Sequence, residues 1–342
     1  MGAIFYVGIS FVFFLQLCDE LDGGKTPRLV LNDGHTIPAL GLGTFLGFDE
    51  NGQKEAKERE VELTVTWALD AGYRLIDTAA LYHNEDQIGV AVRSSVVPRD
   101  NIYIVTKLGV NEQRNVIQSL NRSLERLNTS YVDLYLIHFP IAFKEDFKEF
   151  DVIDYLDTWK SMEEAKRLGL AKSIGISNFN MSQIERILAH CEIKPAVLQV
   201  EVNLNLAQNK LIQFAKDNNI TVMAYSPFGS LFSKSSSPPP PRVDDPTLAS
   251  LSKKYNKTAP QIVLRYHTQR GVIPIPKSLH KDRIEQNIDV FDFTLTSEEM
   301  EILSKFNKDY RIVWPSYWQD HPYYPFEIKD VPDSNIFEGL KQ

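Results

Sequence analysis

Asp77 and Tyr82 in the run RLIDTAALYHNE, Lys107 in IYIVTKL and His138 in VDLYLIHFP are polar residues at or just beyond the downstream ends of three apolar runs. A carboxylate, a phenol, an amine and an imidazole gathered at one place can protonate a carbonyl oxygen. A tyrosine hydroxyl, with an ordinary pKa of about 10, holds its proton tightly at neutral pH. A neighbouring ammonium favours the ionised phenol and is expected to lower that value; Lys107 can supply it. Asp77 would then be the counter-charge that makes a buried ammonium tolerable. His138 would donate a hydrogen bond that orients the carbonyl beside the phenol. Such a tetrad suits hydride addition to a carbonyl with protonation of its oxygen. Taken singly, each residue is ordinarily a solvated surface group or a satisfied core group. Their position at strand ends is what favours chemistry, because polar residues at the carboxyl ends of barrel strands line the site.

The elements that must position them are legible as alternating runs. Apolar stretches of strand length are expected at Leu40 to Gly43, Leu75 to Asp77, Ile102 to Lys107, Val132 to His138, Ala171 to Ser177, Val197 to Glu201, Thr221 to Tyr225 and Val272 to Ile275. Helical stretches follow them: Val61, Val65, Ala68 and Leu69 share one face, as do Val116, Leu120, Leu124 and Leu127. Eight such units favour an α/β fold, a closed (β/α)8 barrel of the TIM type, over a doubly wound open sheet. Before them, LVLNDGHTIP carries Asn32-Asp33-Gly34 between two extended runs, an N-terminal β-hairpin signal that could plug one end of the barrel. Gly41, Gly43 and Gly47 imitate a dinucleotide fingerprint, but Leu46 holds the required third glycine position, so a strand end and turn is expected there.

A chain of 342 residues fits one barrel domain, here over 25–342. With 43% hydrophobic and 24% charged residues it has the composition of a globular protein, and a net charge of −8 argues against general affinity for nucleic acid or anionic membrane. The uncharged run from Ile4 to Leu17 is too short for a comfortable bilayer span and about right for a signal-peptide core, so residues 1–24 are expected to be a signal peptide and the protein secreted, with no stable membrane anchor. The alternatives are a docked or disordered extension and a cytoplasmic protein. Cleavage between Cys18 and Gly24 would leave Cys191 alone, with no internal disulfide. Triplets at Asn121, Asn128, Asn180 and Asn256 are glycan acceptors only in the secretory pathway.

Two segments break the barrel rhythm. FGSLFSKSSSPPPPRVDD, from Phe228 to Asp245, should be an exposed loop after the seventh strand, either a tolerated insertion or a flap over a ligand. The tail from Tyr310, dense in Trp314, Tyr317, Trp318, Tyr323, Tyr324 and Phe326, should pack on the body.

Taken together, GLGTF from Gly41, DTAALYHNE, TKL, LYLIHFP, GISNF from Gly175, QVEVN, AYSPFGSL and IPKSLHKDRIEQN resemble the aldo-keto reductase superfamily, from about Leu31 to Phe326. The resemblance implies Tyr82 as general acid, supported by Asp77 and Lys107, with His138 orienting the substrate. It implies NADPH/NADP+ as cofactor. Tyr225 would stack on the nicotinamide, with Ser177, Asn178 and Gln199 holding its carboxamide and Gly43, Thr44, Phe45 and Asp77 alongside. Ser226, Phe228 and Ser230 would follow the pyrophosphate. Lys277, Ser278, Arg283, Gln286 and Asn287 match the adenosine-phosphate pocket, in which Lys277 and Arg283 offer two cations to a 2′-phosphate. Gln286 stands where many relatives carry Glu.

Phe45, Tyr82, His138 and Phe139 are the expected substrate contacts. Against aldose reductases of the family, Phe45 and Gly109 each replace a Trp, and Phe139 stands for a third. Loss of aromatic bulk should widen the mouth and suit a flat polycyclic ketone. The leader, GTFLGFD and WQDHPYYPF look similar to insect members, including 3-dehydroecdysone 3β-reductases. The expected partner is a small-molecule carbonyl compound, a 3-ketosteroid first and an aldose or aldehyde second, acted on by a monomer; a cofactor-binding accessory barrel is the non-enzymatic alternative.

Overall fold

Alternation along each strand decides this architecture. A computed structural model describes residues 23–49, 52–236 and 238–328; the leader expected over 1–24 lies, up to residue 22, outside the described residues. Eight strands form one parallel sheet: β1 Leu42–Gly43, β2 Leu75–Asp77, β3 Tyr103–Leu108, β4 Val132–Ile137, β5 Ala171–Ser177, β6 Val197–Glu201, β7 Thr221–Tyr225 and β8 Val272–Pro274, in sequential order. Their ends depart from the expected runs by two residues at most. The sheet closes on itself, because Gly41 N–H donates to Pro274 O and Gly43 N–H to Pro276 O, both at 3.1 Å. Closure needs a bare backbone: a Cβ on Gly43 would stand 2.8 Å from Ile275 O.

Side chains of period two divide the core into two layers. Leu75, Tyr103, Val105, Leu134, Leu136, Val197, Met223 and Ile273 point inward and fill the barrel. Ile76, Ile104, Leu108, Tyr135, Ile137, Ile176, Leu198 and Val200 point outward to the helices. The hairpin expected around Asn32 is present, Arg28–Val30 pairing with Thr36–Pro38. Its Leu31 and Ile37 join the inward cluster and plug the amino-terminal end, contributing about 1.5–3 kcal/mol each by burial.

Helices α1 Glu60–Ala71, α2 Glu85–Ser94, α3 Val116–Leu127, α4 Tyr155–Arg167, α5 Met181–His190, α6 Asn209–Asp217, α7 Pro246–Tyr255, α8 Ala259–Gln269 and α9 Lys281–Ile288 surround the barrel, and α10 Ser297–Ser304 follows. The apolar faces read from Val61, Val65, Ala68 and Leu69 and from Val116, Leu120, Leu124 and Leu127 are the buried faces of α1 and α3. Gly72 ends α1 in the left-handed region at φ 100°, its N–H donating to Leu69 O. With the amino-terminal end plugged, the carboxyl ends of the strands form the open mouth.

Candidate active site

The inward phase that fills the barrel with apolar residues continues to the strand ends and there delivers polar ones. Leu75 precedes Asp77 in phase on β2, Val105 precedes Lys107 on β3, Leu136 precedes His138 beyond β4, and Val197 precedes Gln199 on β6. Tyr82 comes from a short 3-10 turn, Ala80–Tyr82, after β2. His83, at φ 52°, turns the chain, and Asn84 fixes the turn by donating to Thr44 O at 3.0 Å and accepting from Thr78 Oγ1 at 2.9 Å.

The four expected residues come together. Lys107 Nζ donates to Asp77 Oδ1 at 2.7 Å, to Thr78 O at 2.7 Å and towards Tyr82 Oη at 3.3 Å. Gln199 Nε2 donates to the other carboxylate oxygen of Asp77 at 2.7 Å. The His138 ring stands edge-on to Tyr82, centroids 5.7 Å apart. Its Nδ1 is buried without a hydrogen-bond partner among the described residues.

Burial pushes the Asp77 carboxyl up and the Lys107 ammonium down, and each opposes the shift of the other. The expected lowering of the Tyr82 phenol does not occur. Burial, then the Asp77 carboxylate and Tyr225, raise it well above its ordinary value, and the ammonium at 3.3 Å does not reverse this. Tyr82 therefore keeps its proton at neutral pH, the state a proton donor needs. Burial and the adjacent Lys107 charge hold His138 neutral, far below its usual titration range.

Beside the tetrad, Asn178, left-handed at φ 62°, donates from Nδ2 to His138 O at 3.0 Å and to Ser177 Oγ at 3.1 Å. Tyr225 Oη donates to Asn178 Oδ1 at 2.7 Å, so Ser177, Asn178 and Tyr225 form one continuous wall. Thr44 Oγ1 donates to Asp77 O at 2.9 Å, and the Phe45 ring lies 4.9 Å from that of Tyr82.

The Pro-rich segment is tied down. Asn205 Nδ2 donates to Pro239 O and Pro240 O at 3.2 and 2.7 Å, while its Oδ1 accepts from Ser230 N and Ser230 Oγ at 3.0 and 2.8 Å. Ser226, at φ 46°, and Phe228 begin the segment, and Phe228 packs edge-on to Phe232. Ser230 is buried and bonded within the segment rather than facing outward. At the start of α9, Ser278 and Asn287 are buried while Lys277, Arg283 and Gln286 are exposed. Neither Lys277 nor Arg283 is in an ion pair within 4 Å among the described residues; the charges of Lys54 and Glu60 both act on Lys277, in opposite senses. Two unpaired cations at one rim are a fitting receptor for a 2′-phosphate.

The tail packs on the body. Phe139 stacks on His138 at 5.3 Å and meets Trp318 perpendicular at 4.9 Å, with Phe326 beyond at 6.4 Å. At Gly109 a Cβ would lie 2.8 Å from Glu112 Oε2 and 3.0 Å from Asn111 Oδ1, the mobile ends of two neighbouring side chains. Sequence reasoning gave no role to Asn84, Glu201 or Asn205. Glu201 had a readable signal, since it lies one inward step beyond Gln199 on β6; the other two make contacts across loops that no local pattern announces.

The described helices include none long and apolar enough to cross a membrane, and no cluster of metal-ligating side chains occurs among the described residues. The profile of the aldo/keto reductase family matches residues 39–308. Aldo-keto reductase AKR2E4 of Bombyx mori is 47% identical over 312 residues, 88% of this chain and 99% of the relative. Estradiol 17 beta-dehydrogenase 5 of Mus musculus is 42% identical over 322 residues, 88% and 98% of the two chains. The crystal structure of AKR2E4 in complex with NADP superposes with a TM-score of 0.84, covering 88% of this chain and 99% of that one. That of the silkworm AKR2E5 complexed with NADPH, 38% identical, superposes with 0.87, covering 93% and 98%. The barrel, the four polar groups at its mouth and these likenesses agree: the chain belongs to the aldo/keto reductase family and is an NADP(H)-dependent oxidoreductase acting on carbonyl compounds.

Proposed function

We propose that this reductase acts on a bulky ketone, a 3-ketosteroid of the 3-dehydroecdysone type, with Tyr82 as proton donor. The observation that carries the ketone class is the aromatic wall beside His138, built from Phe139, Trp318 and Phe326 and faced by Phe45 over Tyr82. A flat apolar ring system gains most from such surfaces. The steroid named for the mouse relative supports the same reading.

NADPH, when bound, supplies the hydride. Ser177, Asn178, Gln199 and Tyr225 would hold its nicotinamide end, with Gly43, Thr44 and Phe45 near it. Ser226 and Phe228 would follow the pyrophosphate, with Ser230 bracing the loop behind them, and Lys277, Ser278, Arg283, Gln286 and Asn287 would take the adenosine phosphate. The neutral His138 donates a hydrogen bond to the carbonyl oxygen and sets its direction. As negative charge gathers there, Tyr82 releases its proton, since an alkoxide is far more basic than a phenolate. Lys107 at 3.3 Å steadies the phenolate left behind, and Asp77 holds Lys107 in line.

The test is turnover with NADPH of a 3-ketosteroid, an aromatic aldehyde and a sugar aldehyde, in wild type and Tyr82→Phe. The steroid should be the preferred substrate. The variant should bind NADPH normally and lose about 10² to 10⁴ in kcat. Reduction of aldehydes alone would overturn the steroid reading, and unchanged turnover in the variant would remove Tyr82 as the acid. We also propose that the protein is secreted, supported by the uncharged run at Ile4 to Leu17, and that it works as a monomer, as the family resemblance implies. N-terminal sequencing of exported material and light scattering check both points.

A further inference from the structure

Glu201 is a buried carboxylate outside the tetrad. It continues the inward phase of β6 beyond Gln199 and is 0% exposed. Burying a carboxylate is costly unless hydrogen bonds replace its water. Those bonds come from the C-terminal tail: Ile312 N–H donates to Oε1 at 2.9 Å and Val313 N–H to Oε2 at 2.8 Å, with Asn203 Nδ2 on Oε1 at 3.0 Å.

The Ile312 and Val313 side chains are 40% and 37% exposed, so at these two residues the bonds to Glu201 are the inward attachment, while Lys308 and Tyr310 N–H fasten the preceding residues to Asn205 O. Apolar burial resumes at Pro315 and then at Trp318, which is 7% exposed and packs on Phe139. Arg311, just before the bonded pair, lies over the Phe326 ring at 4.2 Å and pairs with Glu327 at 3.1 Å. Glu201 is also in register with Tyr225 on β7. One carboxylate thus ties the strand beside Tyr225 to the root of the aromatic wall.

We propose that Glu201 is a positioning residue, a buried latch that fastens the C-terminal tail to β6 and so sets the width of the substrate mouth. It touches no reacting atom; it acts through Trp318 and Phe326. The inference rests on the reading that these aromatics wall the substrate.

Glu201→Gln leaves one acceptor where two tail N–H groups need them, and sets an amide donor against the other. Val313→Pro removes one donor from the tail side without touching the barrel, and keeps the test decisive if Glu201→Gln does not fold. Two readouts are compared with wild type: chymotrypsin cleavage after Tyr317, and KM against kcat for a polycyclic ketone and for benzaldehyde. Cleavage should accelerate about tenfold, the loss expected for one hydrogen bond to a charged group. KM for the ketone should rise by a similar factor, with kcat and the benzaldehyde KM within about twofold. Unchanged cleavage in the folded variants would overturn the latch. So would equal losses for ketone and benzaldehyde, which indicate general loosening. Should wild type reduce no polycyclic ketone, the steroid reading fails, yet the cleavage rates still decide whether Glu201 holds the tail.

Discussion

Lys107 and Asp77 form an ion pair of 2.7 Å with both side chains shut off from solvent. Removing one partner of such a pair leaves an uncompensated charge inside the barrel. Asp77→Asn should therefore destabilise the fold by about 3–5 kcal/mol in denaturant melts. It should also cut ketone reduction by at least about 10². A variant within about 1 kcal/mol of wild type would mean that Thr78 O and Tyr82 Oη hold the lysine unaided.

Lys277 and Arg283 at the α9 rim are the cations proposed here to set cofactor choice. Lys277→Met and Arg283→Met should each weaken NADPH binding by about tenfold or more, since a hydrogen bond to a charged group is worth about 1.5–3 kcal/mol. NADH binding should hardly change, and the difference should shrink with salt. Fluorescence titration with both cofactors reads this directly; equal losses for NADH and NADPH would place the 2′-phosphate elsewhere.

Three histidines, His138, His267 and His321, are buried and held below their usual titration range, and they should make the protein acid-labile. Burial, helped by the Arg270 charge, lowers His267 to about 3 although its Nε2 meets Pro227 O at 3.0 Å, and His138 is also held neutral. The unfolded chain takes up protons below about pH 6.5 that the native state refuses. The stabilisation is whole above that pH and is lost as pH falls towards the native values, at up to about 1.4 kcal/mol per pH unit for each histidine. His267→Gln can keep the bond to Pro227 O and should remove one proton from the slope. Denaturant melts between pH 4 and 7, taken as about the span of interest, check it; an unaltered slope would clear His267.

Asn205 ties the Pro-rich segment and the start of the tail together, its backbone O accepting from Lys308 N and Tyr310 N at 3.0 Å. Its side-chain bonds to Ser230, Pro239 and Pro240 are lost in Asn205→Ala. If the segment covers the cofactor, NADP+ should leave several times faster in stopped-flow fluorescence. Should release limit turnover, kcat would rise with it. An unaltered off-rate would make the segment a surface insertion.

Much of the fold is local and therefore readable. Runs such as Leu75 to Asp77 and Val132 to Ile137 alternate with helical faces such as Val61, Val65, Ala68 and Leu69, and that alternation is the barrel. Asp77, Lys107 and His138 were legible because a strand end is itself a position, and strand phase aims each side chain inward without reference to distant residues.

The tertiary structure alone decided what depends on through-space neighbours. The proton affinity of Tyr82 is set by burial and Asp77 rather than by the nearby ammonium. The neighbours of Gly109 are Glu112 and Asn111. Ser230 faces into its own loop, and Glu201 finds its partners at Ile312 and Val313, more than a hundred residues on. Sequence periodicity records which face a residue takes; it carries no record of the chain that arrives opposite, and desolvation, hydrogen bonding and packing all depend on that arrival.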